Sequence, residues 1–143
     1  MNNYFFEITL DYIDIKEILE KKFHVEYGAT VFFLGKVLNF NSNKKVVGIN
    51  YDMCDELVLL KFYNICKHYC DLYKNIRIYI SHFKGYLKIG FISIVIIVES
   101  LNRKNSFIIC NMILEDIKNN LPIWKYEHYF FDDSNWLNGK TLN

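Results

Sequence analysis

Proline occurs once in this 143-residue chain, at Pro122, and arginine twice, at Arg77 and Arg103. The sequence shows no linker, internal repeat or low-complexity tract. With two arginines, bidentate recognition of an anion has few candidates. An excess of one charge sign is missing as well: 17 basic residues face 16 acidic ones, for a net charge of +1. That argues against broad nucleic-acid binding, which needs a one-sign field, and leaves room for a small cationic pocket. Four cysteines, Cys54, Cys66, Cys70 and Cys110, are too few and too dispersed for a disulfide framework. They read as free thiols in a reducing compartment. There is no basic then apolar leader, and the most apolar stretch, Ile89–Val98, is about half the length needed to cross a bilayer. The expectation is a soluble, cytoplasmic protein that binds neither membrane nor nucleic acid.

What is present is a foldable composition, with 52% hydrophobic and 23% charged residues. The length suits one domain spanning 1–143. Tyr4–Leu10 reads as a strand. Asp14 and Glu17 have capping-box spacing and open a short helix to about Phe23, with Ile15, Ile18 and Leu19 as its apolar stripe. Ala29–Val37 is apolar on both faces and predicts a central strand, with Gly35 marking a bulge or a close backbone approach. Asn39–Lys45 reads as a mobile polar loop and Val46–Met53 as a strand. Cys54 or Asp55 to Tyr73 is a long helix whose apolar face is Val58, Leu59, Phe62, Ile65, Cys66, Tyr69 and Leu72. Ile76–Phe83 alternates as a half-buried strand, and Gly85 and Gly90 bracket a turn. Phe91–Ser100 is a β-branched central strand. Asn102–Asn105 opens a second long helix that runs over Ser106–Asn119. Ile123–Phe131 is the last strand, Asp132–Asn135 a turn, Trp136 packs back, and 138–143 is a frayed tail. This order predicts an α+β sandwich with helices on one side of a mainly antiparallel sheet.

The densest chemistry lies in Glu115–Glu127. A helix ends near Asn119–Asn120, Pro122 forbids its continuation, and the chain leaves extended. That geometry brings Lys118, on the last helical turn, and Lys125, just past the turn, toward one place. The pair makes either an anion site or a solvated surface, since a cation at a helix C-terminus is also mildly stabilising. Arg103 falls near a helix N-terminus, where backbone N–H groups attract anions, or else pairs with an acid such as Glu99. Cys66, His68 and Cys70 do not make a metal site: the cysteines share a helix face and His68 points away. His82, ending a strand beside Gly85, reads as a structural histidine, and Lys44–Lys45 as a solvated loop.

Taken together these motifs resemble the large, catalytic subunit of molybdopterin synthase. The strongest match is Asp116-Ile-Lys118-x-x-x-Pro122-Ile-Trp124-Lys125-x-Glu127. Gly28-Ala-x-Val-x-Phe33-x-Gly35-Lys36-Val37, Ile49-x-Tyr51-Asp52, His82-x-x-Gly85 and Ser100-x-x-Arg103 follow the family in order and spacing. The resemblance implies a two-layer, hammerhead-like α/β sandwich with an additional small β subdomain. It implies conversion of cyclic pyranopterin monophosphate to molybdopterin by dithiolene sulfur insertion, without a metal or other cofactor. The sulfur comes from a ubiquitin-like small subunit with a C-terminal Gly-Gly thiocarboxylate, in a heterotetramer built on a central homodimer. In residues, it implies Lys118 as catalytic amine and Lys125 as substrate holder and partner in proton transfer. Arg103 binds phosphate in its own or the neighbouring protomer's site, beside Asn102, and Lys36, Val37, Leu38, Tyr126 and Glu127 line the pocket. Three positions depart from the pattern: Leu38 and Phe83 stand where the family usually has arginine, and Asn102 where it has histidine. Leu38 and Asn102 motivate a second reading, a member that keeps the fold and binds the small subunit without turnover.

Overall fold

The computed structural model describes residues 3–20 and 24–130, together with the backbone of 135–137. In chain order the elements are β1 (Tyr4–Thr9), α1 (Ile15–Glu20), β2 (Ala29–Lys36), β3 (Phe40–Asn41), β4 (Lys44–Met53), α2 (Asp55–Leu72), β5 (Arg77–Phe83), β6 (Gly85–Lys88), β7 (Ile92–Ser100), α3 (Arg103–Asn120), β8 (Ile123–Tyr129) and β9 (Asn135–Leu137).

The first sheet has the order β1-β5-β7-β2, with β1 parallel to β5 and the other pairs antiparallel. The β-branched run of β7 explains its central place. Ile94, Ile96 and Val98 face the main core under α2 and α3, while Val95 and Ile97 face the opposite side. Period-2 alternation has to fill both faces, so a strand with an unbroken apolar run such as Ile94–Val98 sits where both faces are covered. The second sheet has five strands: it runs β3-β4-β8-β9, all antiparallel, and β6 pairs with β4 over Gly48–Tyr51. This is the expected α+β sandwich with a small extra β unit.

Both long helices lie over the first sheet. α2 buries Val58, Phe62, Cys66 and Tyr69, and α3 buries Ser106, Ile109, Cys110, Ile113 and Ile117, each set at helical spacing. Burying a side chain such as Phe62 or Ile113 completely contributes about 1.5–3 kcal/mol. The Tyr69 hydroxyl donates to Asp116 Oδ2 at 2.8 Å and ties the two helices together.

Several details differ from the sequence reading. β2 is an edge strand, not a central one. Its two-faced apolarity is real, since Val31 and Phe33 join the main core and Phe32 and Leu34 the other side. Pattern reports covered faces and says nothing about a free edge. The register does shift between Gly35 and Lys36, and a Cβ on Gly35 would lie 2.7 Å from Ile94 Cγ2, so the bulge and the close approach are both present. The helices are not all on one side: Ile18 of α1 packs with Val95 and Ile97, on the face away from α2 and α3. Leu19 and Leu72, expected in apolar stripes, are exposed. Asp14 caps α1 by accepting from the Lys16 N–H at 3.0 Å, and Phe23 lies outside the described residues. The Asn39–Lys45 segment is a hairpin: Ser42 and Asn43 have φ of 50° and 65°, the positive pair that a two-residue turn requires. Lys44 Nζ sits 5.1 Å from the Tyr129 ring centroid, so it is not simply solvated. Strand β6 occupies the expected Gly85–Gly90 turn, and β9 follows β8. The Asp132–Asn135 turn up to residue 134, the packing of Trp136 and the 138–143 tail lie outside the described residues and side chains.

Gly48 sets how closely β6 approaches β4. A Cβ there would overlap the Tyr86 phenol and lie 2.7 Å from the Leu87 carbonyl oxygen, a backbone atom that cannot swing away. Gly48→Ala is therefore expected to destabilise the fold by about 1–3 kcal/mol. Urea denaturation measures this, and a midpoint equal to that of the parent would contradict it.

Candidate functional site

Helix α3 stops where Pro122 forbids it to go on. Leu121 is already extended, with φ −94° and ψ 140°, and its N–H closes the last turn on Ile117. Three residues after Lys118, the chain has turned and is about to enter β8. From Ile123 alternate residues point inward, so Ile123, Lys125 and Glu127 are buried, with Lys125 only 4% exposed. The turn thus carries two ammonium groups to one place, Lys118 from the helix end and Lys125 from the strand.

Their surroundings come from three other strands. In the sheet register Tyr51 of β4 pairs with Lys125, and Ile49 with Glu127. The Tyr51 ring meets the His82 imidazole of β5 edge to face, with centroids 5.5 Å apart. Burial raises the Tyr51 phenol pKa, opposed by a hydrogen bond from Ser93. Ser93 Oγ also reaches the Gly35 carbonyl oxygen at 3.2 Å. Glu127 Oε1 accepts from Asn41 Nδ2 at 2.7 Å and from the Tyr129 hydroxyl at 2.9 Å, which fastens the β3–β4 hairpin to β8.

The electrostatics follow from this packing. Glu127 spends one carboxylate oxygen on neutral donors, and no described acid forms an ion pair with Lys125. Burial pushes the Lys125 amine below its ordinary value; Glu127 opposes this and the Lys118 charge reinforces it. An amine so placed gives up a proton far more readily than a surface lysine. His82 is wholly buried and held neutral, its pKa lowered to about 4 by burial and secondarily by the Lys125 charge.

The other expected site residues divide into three groups. Lys36, Val37 and Leu38 follow the β2 bulge and, with Phe33, Leu34 and Ile89, line a cavity of about 550 Å³. Val37 is buried, whereas Leu38 is 66% exposed at its rim. Glu127 joins Lys118 and Lys125, but Tyr126 lies on the other face of β8, where its ring meets His128 at 4.9 Å. Asn102 and Arg103 stand at the N-terminus of α3, Arg103 fifteen residues and roughly 22 Å from Lys118 at 1.5 Å rise per residue. One chain does not bring them to the lysines. Asn102 is the helix N-cap, its side chain accepting from the Asn105 N–H at 3.0 Å, and Glu99 pairs with Arg77 at 3.6 Å rather than with Arg103. Asn41, Ser93 and Tyr129 were not singled out from the sequence, because each reaches the site through pairings that only the fold creates. Among the described residues no group of three or more His, Cys, Asp or Glu is arranged for a metal ion. Cys66 and Cys110 are buried, which pushes their thiols up to about 12 and about 11. Among those residues, no helix is long and apolar enough to cross a membrane.

A family model described as MoaE protein matches residues 8–120. The chain is 31% identical over 137 residues to the molybdopterin synthase catalytic subunit of Synechococcus elongatus, covering 95% of this chain and 83% of that one. It is 30% identical over 132 residues to that of Bacillus subtilis, with 92% and 83% covered. Its fold matches the crystal structure of molybdopterin synthase from Staphylococcus aureus with a TM-score of 0.84, 28% identity, and 96% and 98% of the two chains covered. It also matches a chain from a protein–protein complex of subunits 1 and 2 of molybdopterin-converting factor from Helicobacter pylori, with a TM-score of 0.74, 25% identity, and 89% and 86% covered.

Neutral, buried His82 makes a pH dependence. Its folded pKa of about 4 lies below the unfolded value of 6.5, so the unfolded chain binds the extra proton between them. Stability is expected to fall as pH drops from 6.5 toward 4, by roughly 3 kcal/mol, and to lose nothing further to this group below that. Urea melts at pH 7 and pH 4.5 should differ less for His82→Phe than for the parent chain. Equal differences would remove His82 from the account.

Proposed function

The chain belongs to the MoaE protein family, and from that premise we propose that it is the catalytic subunit of a molybdopterin synthase. It converts cyclic pyranopterin monophosphate to molybdopterin, as a sulfurtransferase in molybdenum cofactor biosynthesis. Sulfur arrives on the C-terminal thiocarboxylate of a ubiquitin-like small subunit, and the assembly is a cytoplasmic heterotetramer around a central dimer of this chain. The single observation that carries the reading is the buried Lys125 amine beside Lys118, in ion-pair contact with no acid among the described residues.

The chemistry needs that arrangement. A cyclic phosphate and a thiocarboxylate are both anions, and charge builds on oxygen as sulfur leaves its acyl carrier. Fixed cations in a site shielded from water stabilise that developing charge far more than they would in solution. Lys118, at the helix end, is the amine proposed to meet the acyl carbon or the phosphate. Lys125, pushed toward its neutral form, is proposed to hold substrate and to move a proton. The cavity at Lys36–Leu38 is proposed to take the carrier's tail, since its Gly35 floor touches Ser93 and, through Ser93, Tyr51 beside Lys125. Arg103, at the far end of α3, is proposed to bind phosphate in the neighbouring protomer's site. Both lysines and their buried frame are present, which favours turnover over a member that only binds the small subunit.

The protein, mixed with thiocarboxylated small subunit and the cyclic pterin phosphate, is expected to form the dithiolene product. Lys118→Ala should reduce the yield on the order of a hundredfold or more, the scale of losing a charged contact made in the transition state. An unchanged yield would remove Lys118 from the catalytic role. Leu38 is exposed, so an arginine fits there without repacking. Leu38→Arg is expected to raise kcat/KM by about tenfold or more through a new contact to bound anion. No rise would mean that the cavity beside it does not receive the anion.

A further inference from the structure

His82 is the most deeply buried polar side chain beside the lysine pair, and the chemistry above leaves it without a task. None of its surface is exposed. Its Nδ1 lies 2.7 Å from the Phe83 carbonyl oxygen. A carbonyl can only accept, so Nδ1 carries the proton and Nε2 keeps a lone pair. That Nε2 is buried and has no hydrogen-bond partner among the described residues. A buried acceptor without a donor costs free energy, and native interiors rarely leave one unexplained.

The donor at hand is Lys125. Tyr51 pairs with Lys125 in the sheet and lays its ring against the His82 imidazole at 70°. The Lys125 charge is felt at His82, which places the two groups within electrostatic reach of each other. On the sulfur-transfer reading of this site, we infer that His82 is a positioning residue for Lys125: its Nε2 accepts a hydrogen bond from one water that the Lys125 ammonium also donates to, and so fixes where the amine points and when it releases its proton.

Among the described residues, four titratable groups surround that amine: Lys118 from α3, Glu127 from its own strand, Tyr51 from β4 and His82 from β5. Burial and Lys118 favour the neutral amine, and Glu127 favours the ammonium. A carboxylate in the place of His82 would lock the ammonium on, and an apolar side chain would let it go too early. A neutral acceptor does neither. It holds the charged form by one hydrogen bond, which lets the amine stay protonated in the resting protein and still lose its proton on demand.

The test uses the intact protein. The titration of Lys125 is followed by the ¹³Cε resonance of the labelled side chain, in the parent, His82→Phe and His82→Gln. Losing a hydrogen bond to a charged group should lower the Lys125 midpoint by about one pH unit in His82→Phe. His82→Gln, which keeps an acceptor, should restore most of that. The pH profile of dithiolene formation should move with the midpoint. In a second measurement, which needs no His82 variant to fold, the ¹⁵N resonance of His82 Nε2 is compared between the parent and Lys125→Met. It should move toward the position of a free acceptor. A Lys125 midpoint unchanged in a folded His82→Phe, or a His82 Nε2 resonance unchanged in Lys125→Met, overturns the inference. Full product from both Lys118→Ala and Lys125→Ala would overturn the functional reading instead, whatever the resonances show.

Discussion

A lysine ammonium buried without an ion pair among the described residues is the costly feature on which this structure turns. Burying an unpaired charge is unfavourable by several kcal/mol, and a fold retains one only where the surroundings are rigid enough to impose it. Here the rigidity is traceable. Pro122 ends α3 and starts β8 with a fixed phase, so that every second residue from Ile123 faces inward. The register of β8 against β4 then sets Tyr51 beside Lys125, and one residue of slip would turn both outward. Asn41 and Tyr129 hold Glu127 where it moderates the charge without cancelling it. The main core beneath, with Phe62, Ile96, Ile113 and Ile117 fully buried, supplies stability that offsets the burial of Lys125.

Much of the fold was legible because most elements declare themselves by period. β7 is apolar at every position from Ile94 to Val98 and is central, and α2 and α3 show their buried faces at helical spacing. What the sequence hid depends on which elements meet. Ala29–Lys36 is covered on both faces and still lies at a sheet edge, because hydrophobicity records burial of side chains and not pairing of backbone. The placement of α1 opposite the long helices could not be seen, since Ile15 and Ile18 would make the same stripe against either face. The hairpin at Ser42–Asn43 was missed because its polar residues are equally at home in a mobile loop. Only their positive φ values mark the turn.

For the site the division is similar. Lys118, Lys125 and Glu127 were legible from one contiguous stretch, since a helix stop at a proline has predictable geometry. Tyr126 was not, because the strand phase that buries Lys125 turns the next residue to the opposite face. His82 read as structural by the prior for a lone histidine at a strand end. Its hydrogen bond to Phe83 fits that prior, and its buried Nε2, without a partner among the described residues, does not. Asn41, Ser93 and Tyr129 carry no signal in the sequence, because their part is defined by the atoms they reach across the sheets.

The separation between Arg103 and Lys118 completes the physical picture. They occupy the two ends of one 18-residue helix, and no motion short of unfolding α3 brings them together within a chain. A pocket that needed both would have to be completed by a second copy. Two-fold symmetry permits this in a natural way, because residue i of one protomer then meets residue j of the other and the reverse contact is made at the same time. Under that arrangement the length of α3 sets the distance between two identical sites. The N-cap at Asn102 then serves a purpose beyond its own helix: its side chain accepts from Asn105 and fixes the first turn, so the direction in which Arg103 leaves the protomer is set by the helix. Histidine could not make that cap as well.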